Sequence, residues 1–244
     1  MDDWFSLIEA GRALPASAVQ DLREAGFAVI PGPLTTDSLA KLPAAYDSAV
    51  AGASVDDIHT GRSTTRINDF VNRGPEFDWL YVYAPLLEAC CRIIGQPFRL
   101  SSMHARTVRP YAQAQELHVD IQREASDQPL VGFILMVDDF RPDNGATRFV
   151  PGSHEWASMP VDFPRDTSAN YDRQVLACGA AGSIIIYNGS VWHGHSANRA
   201  GEARRSIQGA YVRRDAAPAV NQAARIRPET AGRISDLAKY VLAV

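Results

Sequence analysis

The chain has 244 residues, 46% of them hydrophobic, and a formal net charge of −4. That length and apolar share suffice for a sizeable hydrophobic core, and the negative charge excludes a broad nucleic-acid-binding surface, which needs an excess of Lys and Arg. No apolar run reaches the roughly 18 residues that span a bilayer; the longest, Trp79 to Ile94, is broken by Pro85, Glu88 and Arg92.

In chain order, the first half reads as helical. Met1-Asp2-Asp3-Trp4 has neither a basic nor an apolar leader region, so no secretory signal is expected. Ser17 to Ala25 and Thr36 to Val50 carry apolar residues three and four apart, with Ser17 and Thr36 or Asp37 as caps. Phe27 to Ile30, before Pro31-Gly32-Pro33, reads as a short strand ending in a turn. Residues 51–74 are polar and lack periodicity, which suggests an irregular functional segment and a candidate lid. Pro75 to Gly95 reads as helix again, stopped by Gly95 and Pro97. Cys90, Cys91 and Cys178 are odd in number and two are adjacent, so the expectation is buried thiols in a reducing cytoplasm rather than a disulfide framework.

From Phe98 onward the pattern changes to strands. Leu100 to Val108, Val131 to Val137, Ala146 to Val150, Val175 to Cys178, Ser183 to Tyr187 and Ser206 to Arg213 are short runs of β-formers separated by Gly, Pro and Asn turns. Asn144-Gly145 predicts a tight turn. Glu229 to Leu242 could close the chain with a helix. Helices followed by many strands predict an α+β chain, mainly β, whose second half is a sandwich or barrel.

Two histidine motifs carry the chemistry. Residues two apart on a strand face the same way, so His118 and Asp120 of His118-Val119-Asp120 can converge on one point. Trp192-His193-Gly194-His195 follows a strand and a turn and can bring a second imidazole opposite. Two imidazoles and one carboxylate form a facial triad for a divalent transition metal, leaving positions open for a chelating 2-oxo acid and dioxygen. Eleven residues past His193 stands Arg204. A dicarboxylate chelated at one end needs a cation at its far end, and a guanidinium pairs bidentately and stays charged. Arg204 and Arg205 should face opposite sides of a strand, so only one can enter the pocket.

With these residues in place, the chain resembles the phytanoyl-CoA dioxygenase family of iron(II)- and 2-oxoglutarate-dependent oxygenases. The resemblance rests on His118-Val119-Asp120, Asn144-Gly145, Pro151-Gly152-Ser153-His154, His193, Asn198 five residues on and Arg204 eleven on, and it runs from about Phe27 to Arg214. It implies a double-stranded β-helix (a jelly roll, cupin-like) with N-terminal helices packed on it. The whole chain, 1–244, would be one dioxygenase domain. Within it, 1–96 would be mainly helical support and lid, 97–214 the core and 215–244 an extension. It further implies iron(II) on His118, Asp120 and His193, with 2-oxoglutarate and O2 as cosubstrates and Arg204 at the far carboxylate. Arg66 corresponds to a basic cosubstrate contact, and Met103, Ala105 and Thr107 of a pocket-lining strand would point inward, with His104 packed or at the surface. His195 stands where the family often has a small hydroxyl residue; the spacing to Asn198 and Arg204 favours His193 over it as the metal ligand, which leaves His195 to touch the cosubstrate or to serve a structural role. A carboxylate at 120 argues against the halogenases of that family.

The expected reaction is hydroxylation of an unactivated C–H bond in a small or medium-sized metabolite, 2-oxoglutarate going to succinate and CO2. Desaturation, cyclisation or epimerisation would need the same cofactors. A non-redox zinc or manganese enzyme of cupin type has no need of Arg204, and a non-catalytic binding protein has no need of open metal positions. No nucleic-acid or membrane partner is expected.

Overall fold

A computed structural model describes residues 3–121, 129–160 and 170–244. Helix α1 (Trp4–Glu9) starts at Asp3, whose side chain accepts from the Ser6 amide. Next come α2 (Ala16–Glu24), strand β1 (Phe27–Ile30) and α3 (Thr36–Ala51), which is capped by Thr35. Residues 51–74 are not irregular throughout, contrary to what their polarity suggests. They form β2 (Ile58–Thr60) and β3 (Thr64–Ile67), a hairpin that adds two strands to a sheet edge. The β-branched residues Thr64, Thr65 and Ile67 favour that pairing. Ion pairs of two buried carboxylates then hold the segment: Asp57 with buried Arg73 and half-exposed Arg225, and Asp69 with half-exposed Arg227.

The helix expected from Pro75 starts only at Ala84, as α4 (Ala84–Ile94), after two separate 3-10 turns. A proline is best accommodated in the first turn of a helix, and Pro85 sits there in α4. The strands β4 (Phe98–Val108), β5 (Leu130–Met136), β6 (Thr147–Phe149), β7 (Val175–Ala177), β8 (Ile184–Asn188), β9 (His193–His195) and β10 (Arg204–Arg213) follow. The chain closes with α5 (Gln222–Arg225), α6 (Pro228–Arg233) and α7 (Asp236–Leu242). The expected single tail helix is split because Ser235 caps α7, its hydroxyl accepting from the Ala238 amide. Among the described residues no helix is long and apolar enough to cross a membrane.

The strands form two antiparallel sheets, a seven-stranded one in the order β1-β8-β5-β10-β4-β3-β2 and a three-stranded one in the order β7-β6-β9. This is a double-stranded β-helix with helices outside. Strand alternation gives it two cores. Phe133, Leu135, Ile184 and Ile186 pack outward with Leu86, Leu87 and Phe77 of the helical layer. Ile134, Met136, Ile185 and Tyr187 pack inward against Phe149 and Val191.

β4 contains an irregularity that decides the site. Ala210 pairs with Ser102 and Tyr211 with Leu100, so Ser101 is an inserted residue and the strand's parity changes there. Phe98 and Leu100 face the helices before the bulge, and Met103 and Ala105 after it. Met103 and Thr107 therefore do not line the pocket. Met103 is buried in the helix-facing core, and the Thr107 hydroxyl is 2.9 Å from the hydroxyl of Tyr46 on α3. His104 and Arg106, on the opposite parity, line the cavity instead. The more apolar parity of β4 belongs to the helix interface, which must exclude water, and the polar parity to the cavity.

Candidate metal centre

The cavity between the sheets, about 270 Å³, is lined among others by Arg66, His104, Arg106, His118, Asp120, His193, His195 and Arg204. The segment before Asp120 lies along β9, and His118 and His193 form a bridge whose amides each donate to the other's carbonyl at 3.0 and 2.9 Å. Gly194 permits that approach, since a Cβ there would stand 2.9 Å from the Glu116 carbonyl oxygen. The Asp120 amide donates to the Gly189 carbonyl at 2.8 Å, fixing the carboxylate beside the β8–β9 turn.

One ligand atom each from His118, Asp120 and His193 lies within 4.8 Å of the other two. His118 Nε2 is 3.9 Å from Asp120 Oδ1, and His193 Nε2 is 3.7 Å from Oδ2. The Nδ1 atoms of His118 and His193 donate to the carbonyls of Glu116 and Val191, both at 3.0 Å. Each ring therefore turns its Nε2 lone pair toward the carboxylate, the tautomer that binds a metal. Burial, and next the neighbouring His193, pushes the His118 pKa down to about 4, so its imidazole is neutral at physiological pH. Tyr187 donates its hydroxyl to Asp120 Oδ2 at 2.8 Å, and burial holds that phenol well above its usual pKa. These residues fit a divalent metal: two imidazoles whose Nε2 atoms face a braced carboxylate, with a cavity beside them.

Arg204 is 1% exposed. Nη1 donates to Ser206 Oγ at 3.2 Å and Nη2 to the Gly145 carbonyl at 2.7 Å. The guanidinium lies over the Phe140 ring, 4.1 Å from its centroid, and its Nε has no hydrogen-bond partner. Burial, then the charge of Arg106, lowers its pKa to about 9. A buried cation without a carboxylate partner is costly unless an anion joins it. Arg205 faces outward and pairs with Asp138 and Asp47. Asn198 donates to the Arg109 and Glu202 carbonyls, shaping the loop before Arg204.

Arg66 on β3 borders the cavity, opposite Arg106 on β4. His195 borders it too, but both its nitrogens are taken: Nδ1 donates to the Ser196 carbonyl at 2.8 Å, and Nε2 accepts from Ser63 Oγ at 2.9 Å. His59 is exposed on β2, and His154 is buried with Nε2 3.3 Å from the Arg23 carbonyl. Sequence reasoning missed Arg106, Gln115, Tyr187 and Gln208 as cavity residues. The alternation of apolar Met103 and Ala105 with polar His104 and Arg106 separates the two faces of β4, but what covers each face depends on the rest of the fold. Tyr187 was hidden at the end of an apolar strand.

The family model for Phytanoyl-CoA dioxygenase (PhyH) matches residues 22–206. "Dioxygenase aneA" of Aspergillus aculeatus is 27% identical over 202 residues, covering 74% of this chain and 66% of that protein. "Multifunctional dioxygenase prhA" of Penicillium brasilianum is 29% identical over 229 residues, covering 84% and 76%. The match thus spans about two thirds of the first relative's length and three quarters of the second's. HygX of Streptomyces hygroscopicus, crystallised with nickel and 2-oxoglutarate, superposes with a TM-score of 0.66 at 17% identity, covering 83% of this chain and 89% of that one. That likeness is one of fold.

Proposed function

We propose, from the premise that this chain belongs to the phytanoyl-CoA dioxygenase family, that it is an iron(II)- and 2-oxoglutarate-dependent dioxygenase that hydroxylates a C–H bond of a small or medium-sized metabolite. One observation carries this reading: a His/Asp/His cluster and a buried guanidinium lacking a carboxylate border the same cavity. His118, Asp120 and His193 would hold the iron. Together the metal, 2-oxoglutarate and O2 would supply oxidative decarboxylation to succinate and CO2, and the oxidising power to break a strong C–H bond.

The chain's own residues orient and exclude. Arg204 offers the far cosubstrate carboxylate a charge fixed by Phe140, Ser206 and the Gly145 carbonyl, so little reorganisation is needed on binding. Tyr187 keeps one oxygen of Asp120 engaged and the carboxylate in orientation. Ile134 and Leu130 border the space with apolar surface that limits water. The cavity volume suits small molecules rather than a polymer.

The test is anaerobic titration of the protein with iron(II) and then 2-oxoglutarate. A weak visible charge-transfer band is expected, and Asp120→Ala should show neither the band nor substrate-dependent succinate release. A silent spectrum in the unaltered protein would overturn the proposal.

A further inference from the structure

Arg66 and Arg106 stand directly opposite each other on β3 and β4 and border the same cavity. Like charges in that arrangement repel. Arg106 donates through Nη2 to the neutral amide oxygen of Gln115 at 3.1 Å, and neither guanidinium has a carboxylate partner among the described residues. On the same face Arg106 pairs with Ser206, one row along β10 from Arg204, and His104 pairs with Gln208 one row further. The Arg106 row is thus about 7 Å from the Arg204 row. His104 Nε2 is buried without a partner.

Charge counting then points to a second anion. A divalent ion and the 2-oxoglutarate dianion cancel. What remains among the described cavity residues is three guanidiniums, Arg66, Arg106 and Arg204, against the single carboxylate of Asp120, an excess of two positive charges. We propose that the Arg66–Arg106 pair, with His104 beside it, binds an oxyanion group of the primary substrate. The substrate is then an acidic metabolite, a carboxylate or a phosphate or sulfate ester, rather than a neutral one. An anion between the two guanidiniums converts their repulsion into two charge-assisted interactions. His104 and Gln208 offer polar groups to the part of the molecule next to the acid.

The inference rests on the oxygenase reading above, and the experiment separates the two. Unaltered protein, Arg106→Gln, Arg106→Lys and Arg204→Gln are each loaded with iron(II) and titrated with 2-oxoglutarate under the charge-transfer band. Sulfate, a probe oxyanion that ligates iron poorly, is then added by isothermal calorimetry. Arg204→Gln should weaken 2-oxoglutarate at least about tenfold, whereas Arg106→Gln should change it less than about threefold. Sulfate should bind the loaded unaltered protein saturably at one site without displacing the cosubstrate. That binding should weaken at least about tenfold in Arg106→Gln and less in Arg106→Lys, which keeps the charge. If Arg106→Gln weakens 2-oxoglutarate as much as Arg204→Gln does, Arg106 serves the cosubstrate and the proposal falls. It falls equally if sulfate does not bind, or binds Arg106→Gln unchanged. Should the band never form, the oxygenase reading fails, and the sulfate titration on metal-free protein still decides the anion site by the same variants.

Discussion

Asp120 is held from two directions, by its own amide on the Gly189 carbonyl and by the Tyr187 hydroxyl on Oδ2. Tyr187→Phe should leave the fold intact and weaken iron(II) binding about tenfold in anaerobic titration, since partners that orient a ligand typically contribute that much. His104 makes a different prediction. Burial, reinforced by Arg66 and Arg106, lowers its pKa to about 3, against about 6.5 in an unfolded chain. The unfolded state therefore takes up a proton that the native state refuses. The resulting stability is complete above about pH 6.5 and is lost as pH falls toward 3, at up to about 1.4 kcal/mol per pH unit. Urea unfolding between pH 4 and 7 should show that slope, flattened in His104→Gln.

At the scale of elements, the β2–β3 hairpin is fastened by charge rather than by a large apolar face. Asp57 bonds Arg73 and Arg225 at 2.8 Å each, and the Asp57 and Arg73 side chains are both under 10% exposed. Asp57→Ala would leave Arg73 buried without its counter-ion, which typically costs about 3–5 kcal/mol. A lower urea midpoint is expected, with earlier proteolysis after the C-terminal segment that Arg225 anchors. The bulge at Ser101 acts at this scale too. It lets apolar Phe98 and Leu100 and apolar Met103 and Ala105 share one face of β4 although their parities differ. Nothing in the local sequence marks the bulge, because it is specified by pairing with β10; the inward reading of Met103 and Thr107 comes from the family resemblance, and the packing of this strand against the helices reverses it.

Across the whole molecule, the candidate ligands belong to separate parts of the chain. His193 lies on the small sheet, and His118 and Asp120 on a segment bridged to its edge. A metal that binds only this assembled state stabilises it by mass action, about 2.7 kcal/mol at a hundredfold excess over Kd. Iron(II) added anaerobically should raise the melting temperature, a chelator should reverse the rise, and Asp120→Ala should abolish it. Gly194→Ala should also shrink the rise, because its Cβ would crowd the Glu116 carbonyl and push His118 away from His193.

The sequence by itself determined the fold class, the family and a short set of candidate ligands. Apolar alternation specifies strands locally, and His118-Val119-Asp120, His193 and Arg204 keep a spacing that needs no coordinates to read. Only the tertiary structure decided which face of β4 meets the cavity, that residues 51–74 form a sheet edge, and that Arg66, Arg106 and Arg204 share one space. The reason is physical. A strand's two faces are distinguished by what covers them, and the charge of a cavity is the sum over segments far apart in the chain, so neither is a property of any local stretch.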